Sequence, residues 1–209
     1  MQYFDTLPKI VVTNNDGIST IMTNLMTRAS IIPSIFKNPL VYYGYDIQEG
    51  DTPEIIAHKY YDDSYRYWVV LFANQLLDPQ WDWPIPYTDF QKYIESKYEY
   101  DSVTHNWNVL NPYETVHHYE KIITQVDGGT NTTTVNKVVV DEAGYADVEA
   151  SLGTTSYHLP TGTVTITISG NIVNYYDYEF ELNESKRSIK LLNQIYVDQL
   201  ENELKKLMG

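Results

Sequence analysis

The sequence predicts an α+β protein: a small βααβ module with an extended N-terminal arm, a β-rich elaboration and a C-terminal helix. Three observations predict it. Residues 41–100 hold a strand-period run, two helix-period runs and a third helix signal in close succession. From about Val103 to Leu182 the period is two. The chain then ends with Val197, Leu200, Leu204 and Leu207 recurring on one helical face. The expected division is an arm over 1–40, the module and its following helix over 41–100, a β-rich region over 101–181, and a helical segment over 182–209.

In the arm, Asn14-Asn15-Asp16-Gly17 is a strong turn, and Pro8, Pro33 and Pro39 interrupt regular structure. Ile18 to Met26 fits a short helix or a strand. Ile31, Ile32, Ile35 and Phe36 are too apolar for a free tail, so the arm is expected to lie on a surface; the module itself is the plain alternative, and the expectation is that the arm orders mainly against another subunit. Ile32 and Phe36 are its candidate contact residues.

In the module, Tyr43, Tyr45 and Ile47 alternate with Gly44 and Asp46, the pattern of a half-buried strand. Thr52 can cap the next helix, Pro53 suits its first turn, and Glu54 sits where the helix dipole favours an anion. Ile56 and Tyr60 lie one turn apart. Asp63 or Ser64 can start a second helix carrying Trp68, Leu71, Phe72 and Gln75 at helical spacing, with Trp68 and Phe72 read as core and Asn74 as a left-handed stop. Ile85-Pro86 is where a closing strand would fall. Thr88-Asp89-Phe90-Gln91 fits a capping box for a third helix whose buried side is Phe90, Tyr93, Ile94 and Lys97.

Farther on, Asp127-Gly128-Gly129-Thr130-Asn131 reads as a hairpin tip. Val164, Ile166 and Ile168 alternate with Thr163, Thr165 and Thr167, and Tyr176, Tyr178, Phe180 and Leu182 alternate with Asp177, Glu179 and Glu181, so both runs are expected as strands. In the last helix Glu201 and Lys205 are spaced to pair.

Composition narrows the function. A net charge of −14 opposes nucleic-acid binding, which needs clustered Lys and Arg to neutralise phosphates. No apolar run reaches the roughly 20 residues that span a bilayer. Met1-Gln2-Tyr3-Phe4-Asp5 lacks the basic and apolar regions of a signal peptide, and zero cysteines rule out a disulfide frame and thiol chemistry. Twenty tyrosines offer large, low-entropy contact area, though tyrosine also favours strands, and both readings stay open.

No catalytic, metal or cofactor constellation emerges. His117 and His118 on one strand should point to opposite faces, while His58, His105 and His158 have no ligand-spaced partner. Asp62-Asp63 reads as a loop and cap, and Asp127-Gly128-Gly129 lacks the Lys and helix of a phosphate loop. Lys186, Arg187 and Lys190 form one basic cluster, either a dock for an acidic neighbour or a solvated face.

Tyr45-Asp46-Ile47, Gly50-Asp51-Thr52, Ile56-Ala57 and Asn74 together resemble a LysM module. Where saccharide-binding members carry a Pro-Gly-Gln turn, this chain has Pro79-Gln80-Trp81-Asp82-Trp83, and it has Pro53 where many modules have Leu. A longer resemblance rests on Tyr3 to Pro8, Gly50 to Glu54, Tyr67 to Leu71, Asp78 to Pro84 and Leu182 to Leu192, with a weaker middle over 121–172. These runs, in this order, look like the LysM-containing baseplate wedge protein of contractile-tailed, T4-like bacteriophages. That resemblance implies a non-enzymatic structural subunit of the virion tail, assembled in the host cytoplasm. Its partners would be other subunits of the same and neighbouring wedges, joined into the baseplate ring. The candidate partner-binding residues are Ile32, Phe36, Trp81, Trp83, Lys186, Arg187 and Lys190, with no cofactor and no metal. The alternative is a saccharide-binding LysM module that recognises peptidoglycan or chitin; the altered turn at Pro79 to Trp83 argues against it.

Overall fold

The computed structural model describes residues 7–27, 29, 31 and 38–208. Strands β1 (Lys9–Thr13) and β2 (Ser19–Thr23) form a hairpin whose turn is closed by Asn14 Oδ1, which accepts from the Asp16 and Ile18 amides. The Ile18–Met26 run therefore holds a strand. After β3 (Tyr42–Asp46), Thr52 Oγ1 caps α1 (Pro53–Tyr61) by accepting from the Ile55 amide at 3.3 Å. Asp63 caps a 3-10 turn, Ser64–Arg66, that leads into α2 (Tyr67–Ala73). A short α3 (Pro79–Asp82), capped by Asp78, precedes α4 (Tyr87–Lys97).

Next come the two-residue strands β4 (Tyr100–Asp101) and β5 (Asn106–Trp107), then β6 (Val116–Asp127), β7 (Thr132–Val140) and α5 (Glu142–Ala150). The chain finishes with β8 (Gly153–Leu159), β9 (Gly162–Asn174), α6 (Tyr175–Ser185), β10 (Ser188–Leu192), a 3-10 turn at Gln194–Tyr196, and α7 (Val197–Met208). These elements form two compact units, one drawn from 1–87 and 183–209, the other from 88–182.

In the first unit β3 pairs antiparallel with β10, Tyr45 opposite Ile189 and Tyr43 opposite Leu191. The closing strand is thus β10, not Ile85-Pro86. Pro84 and Pro86 lack N–H groups, and both backbone groups of Ile85 are already engaged. Ile85 N–H donates to Asn183 Oδ1 at 2.7 Å, and Asn183 Nδ2 donates to the Ile85 carbonyl at 3.0 Å. A second carboxamide does the same on β10: Lys190 N–H donates to Asn74 Oδ1 at 2.7 Å, while Asn74 Nδ2 donates to the Lys190 and Val70 carbonyls, each at 2.8 Å. Asn74 is not the left-handed residue, having φ −105°; Gln75 takes φ +57° instead, which frees Asn74 to reach the strand.

Helices α1 and α2 cover one side of this ladder. Ile56, Ala57, Trp68, Val69 and Val70 are buried with Ile189, Leu191, Leu192, Val197 and Leu204 in one cluster, and Phe72 packs at its margin. Each fully buried aliphatic side chain contributes about 1.5–3 kcal/mol. On α7, Val197 and Leu204 are buried and Leu200 partly so, whereas Leu207 is 75% exposed and leaves the expected stripe. The expected Glu201–Lys205 pair is replaced: Arg66 donates to Glu201 at 3.1 Å and to Asp198 at 2.9 Å, tying α7 to the turn before α2.

The second unit contains an antiparallel sheet of order β7-β6-β9-β8. Asp127 Oδ1 accepts from the Gly129 and Thr130 amides at the hairpin tip between β6 and β7. Helix α5 brings Tyr145 over Gly170, where a Cβ would stand 2.8 Å from the ring, and Tyr145 also contacts the Tyr119 ring. The Tyr176–Leu182 run expected as a strand is α6. Asn174 Oδ1 accepts from the Asp177 amide at 2.8 Å, a helix cap three residues upstream of an acid. Helical spacing then stacks Tyr176 on Phe180 and sets both against Phe90. It also buries Glu179, which accepts from Lys97 at 2.6 Å and from the Tyr93 and Tyr98 hydroxyls at 3.2 Å. A tertiary network overrides the alternating pattern.

Replacing Asn74 with Ala should lower unfolding free energy by about 2–3 kcal/mol, since it leaves backbone groups of Lys190 and Val70 unsatisfied. Asn74→Asp, which keeps the acceptor for Lys190 N–H but sets a carboxylate oxygen against the Lys190 and Val70 carbonyls, should lose at least as much. Urea titration of the three proteins checks this; equal stability would mean water replaces the carboxamide.

Candidate docking surfaces

Asp51 is the hub beneath the Trp-containing loop. Its carboxylate accepts from Tyr45 Oη and Lys59 Nζ, both at 2.6 Å, and from Gln48 N–H at 3.1 Å. Burial alone would raise the Asp51 pKa, but the Lys59 and Tyr45 hydrogen bonds outweigh it and hold the carboxyl below its usual range. The same bond, with burial, pushes Tyr45 up to about 12. The Asp51 carbonyl is occupied too, accepting from Trp83 Nε1 at 3.0 Å.

Around this hub the candidate residues part company. Trp83 packs against the buried cluster, while Trp81, two residues earlier, is 66% exposed. Lys186 Nζ donates to the Trp81 carbonyl at 2.6 Å and holds the loop. Arg187 is an internal brace: it donates to Glu184 at 2.7 Å, to Glu49 at 3.1 Å and to the Ile47 carbonyl at 3.3 Å. The other oxygen of Glu49 accepts from Tyr87 N–H at 2.7 Å, so α4 starts one residue before the expected cap Thr88 and is capped from a distant loop. Lys190 stands exposed on β10. Ile32 and Phe36 lie outside the described residues. Of the three basic residues, Lys186 and Arg187 are thus bonded within the chain and Lys190 is exposed.

Apolar surface also lies on the β1–β2 hairpin, whose strand residues are all exposed. Val11 is 68% exposed, Ile21 70% and Met22 53%. The consecutive run Ile10-Val11-Val12 carries the signal, because alternation puts apolar side chains on both faces of such a strand.

The His117–His118 expectation also changes. A β-bulge at Val116–His118 leaves His117 without a cross-strand partner and turns it toward its neighbour, Nδ1 to Nδ1 at 2.8 Å. His117 stacks on Tyr178 at 3.9 Å and meets Tyr175 edge-on. Burial and the adjacent His118 lower the His117 pKa. Among the described residues, no group of three or more His, Cys, Asp or Glu could hold a metal ion, and no helix is long and apolar enough to cross a membrane.

The exposed surface of this acidic chain thus includes apolar strands and a tryptophan ring, while Arg66 and Arg187 are held by the chain's own carboxylates. The model of base plate wedge protein 53, a phage family, matches residues 2–207, and the chain belongs to that family. It is a structural protein of the phage tail baseplate. No curated protein matches it.

Trp83→Ala should lower stability by about 2–3 kcal/mol through lost packing and the orphaned Asp51 carbonyl, whereas Trp81→Ala should change it by less than about 0.5 kcal/mol. Denaturant titration distinguishes the two. For His117, the lowered folded pKa means the unfolded chain binds more protons just below the ordinary value near 6.5. Stability should therefore be greatest above that value and fall as pH drops through and below it, with a shallower slope in His117→Gln. Urea midpoints from pH 8 down to about 5 measure both slopes.

Proposed function

We propose that this chain joins adjacent wedges into the baseplate ring by protein–protein contacts, as a T4-like wedge subunit built on a LysM-like module. Strand β3, helices α1 and α2, and strand β10 form the module, and residues 75–187 are inserted before its last strand. The observation that carries the reading is the hairpin: Ile10, Val11, Val12, Ile21 and Met22 form more exposed apolar surface than an isolated subunit has reason to keep. A lone two-stranded hairpin is marginal in water, so a partner surface supplies the burial it lacks. Residues 1–40 act as the docking arm, with Ile32 and Phe36 among its contacts, and Trp81, Lys186 and Lys190 form a second contact region near the Trp loop. Arg187 and Trp83 support that region from inside.

The saccharide-binding alternative has the Gly50-Asp51-Thr52 turn in its favour. Against it, the Asp51 carbonyl already accepts from Trp83, and Trp81 and Trp83 occupy the run that a saccharide-binding module gives to a Gly-Gln turn. Calorimetric titration with chitin and peptidoglycan oligomers should give no saturable heat. Binding at micromolar strength, lost on changing Trp83, would support the alternative.

The wedge-joining role is tested with tails from a phage whose copy of this gene is disrupted. Single wedges should accumulate, and adding the purified chain should convert them to closed rings seen by sedimentation and electron microscopy. Val11→Lys with Ile21→Glu, which sets opposite charges across the paired strands, should leave the fold intact yet block ring formation. Rings that close without the chain would overturn the role.

A further inference from the structure

We propose that the outer edge of β3, centred on Gly44, is a strand-addition site for an extended segment of a different tail subunit. The inference rests on the baseplate reading and adds a specific contact to it.

The backbone parity of β3 is set by its two ends. Val41 accepts from Asn193 N–H through its carbonyl, and Ile47 N–H donates to the Arg187 carbonyl, both at 2.9 Å. In an antiparallel ladder alternate residues direct both backbone groups to the same neighbour, so Tyr43 and Tyr45 also face β10. Lys190, opposite Gly44, confirms the alternation, because both of its backbone groups bond Asn74. The N–H and C=O of Gly44 consequently point away from β10, and no described residue takes them. The other edge of the pair is closed by the Asn74 carboxamide; on this one the Asp46 carbonyl accepts from Gln48 Nε2 at 2.7 Å, and Gly44 keeps both backbone groups without a described partner.

The glycine is a second, independent observation. A glycine inside a strand weakens it and marks a bulge or the close approach of another backbone. The β3–β10 register has no bulge, Gly44 is not among the positive-φ residues, and a Cβ built on it meets nothing within 4 Å. No described residue requires glycine there. Gly44 is exposed and lies between exposed Tyr43 and half-buried Tyr45.

A paired donor and acceptor on one strand edge specify an extended backbone as occupant. A second copy of the chain is disfavoured, because each copy carries a net charge of −14. Exposed Asp46 at the end of the edge favours a segment with a cationic residue opposite it.

Amide exchange, read by mass spectrometry with fragmentation across Tyr42 to Asp46, tests the proposal in the isolated chain and in the chain within purified tails. The Gly44 amide should exchange rapidly in the isolated chain and about 100-fold more slowly in tails. Gly44→Pro removes a donor that β10 does not use, so it should fold with a near-wild-type urea midpoint yet fail to complement a phage lacking the chain. Rapid exchange of Gly44 in tails that contain the chain would overturn the inference and leave the baseplate reading standing. Normal complementation by Gly44→Pro would overturn it too. Protection that grows with concentration in the isolated chain, alongside a doubled mass, would assign the edge to a second copy and overturn the proposed partner. A chain missing from tails altogether would instead count against the baseplate reading.

Discussion

The pairing of β3 with β10 constrains everything else in the first unit. The two strands are far apart in sequence, and β10 arrives only after the chain has run through residues 75–187. Closing so long a loop carries an entropic penalty that grows slowly with length and must be offset where the ends meet. The structure concentrates its polar bonds at that junction. Asn74 locks the free edge of β10, Asn183 holds Ile85, Lys186 holds the Trp81 carbonyl, and Arg187 joins Glu184 to Glu49. A carboxamide suits two of these positions because it offers a donor and an acceptor side by side, as an adjacent strand would.

That junction also explains why charge and aromaticity do not translate directly into contact surface. A basic side chain in an acidic protein is first a resource for the protein's own carboxylates. Arg66 is engaged in this way by three carboxylates and Arg187 by two. Trp83 is likewise used internally, as a donor to the Asp51 carbonyl and as packing against the core. Apolar strand surface on the hairpin and the Trp81 ring do face outward, and the backbone groups of Gly44 have no described partner. Exposed apolar patches and unpaired strand edges are the kinds of surface that association buries, in keeping with membership of a baseplate wedge family.

The second unit makes a comparable point about polar burial. Glu179 is buried, yet it collects Lys97 and two tyrosine hydroxyls. Burial works against the Lys97 ammonium, but its hydrogen bonds to Glu179 and Tyr93 outweigh that and raise its pKa. Such a network is worth keeping only when complete, and α6 is the conformation that completes it.

Local chemistry was legible in the sequence. The Thr52-Pro53 start of α1, the Asp63 cap, the Asp127 hairpin tip and the Val164-Ile166-Ile168 strand all follow from side chains acting on their own neighbourhood, within a few residues. The assembly class was legible as well, through the order of motifs from Tyr3 to Leu192. The identity of the strand that closes on β3 was not, because alternation in Ser188 to Leu192 is too short to stand out, and the bonds that exclude Ile85 come from Asn183. Tyr176 to Leu182 satisfied the strand period and the helix period at once, and Phe90, Lys97 and the Asn174 cap decided between them. His117 and His118 met only because a bulge broke the two-residue period on which the opposite-face expectation depended. Trp81 and Trp83 were indistinguishable by composition; the Asp51 carbonyl, brought near by folding, drew one inward and left the other outside.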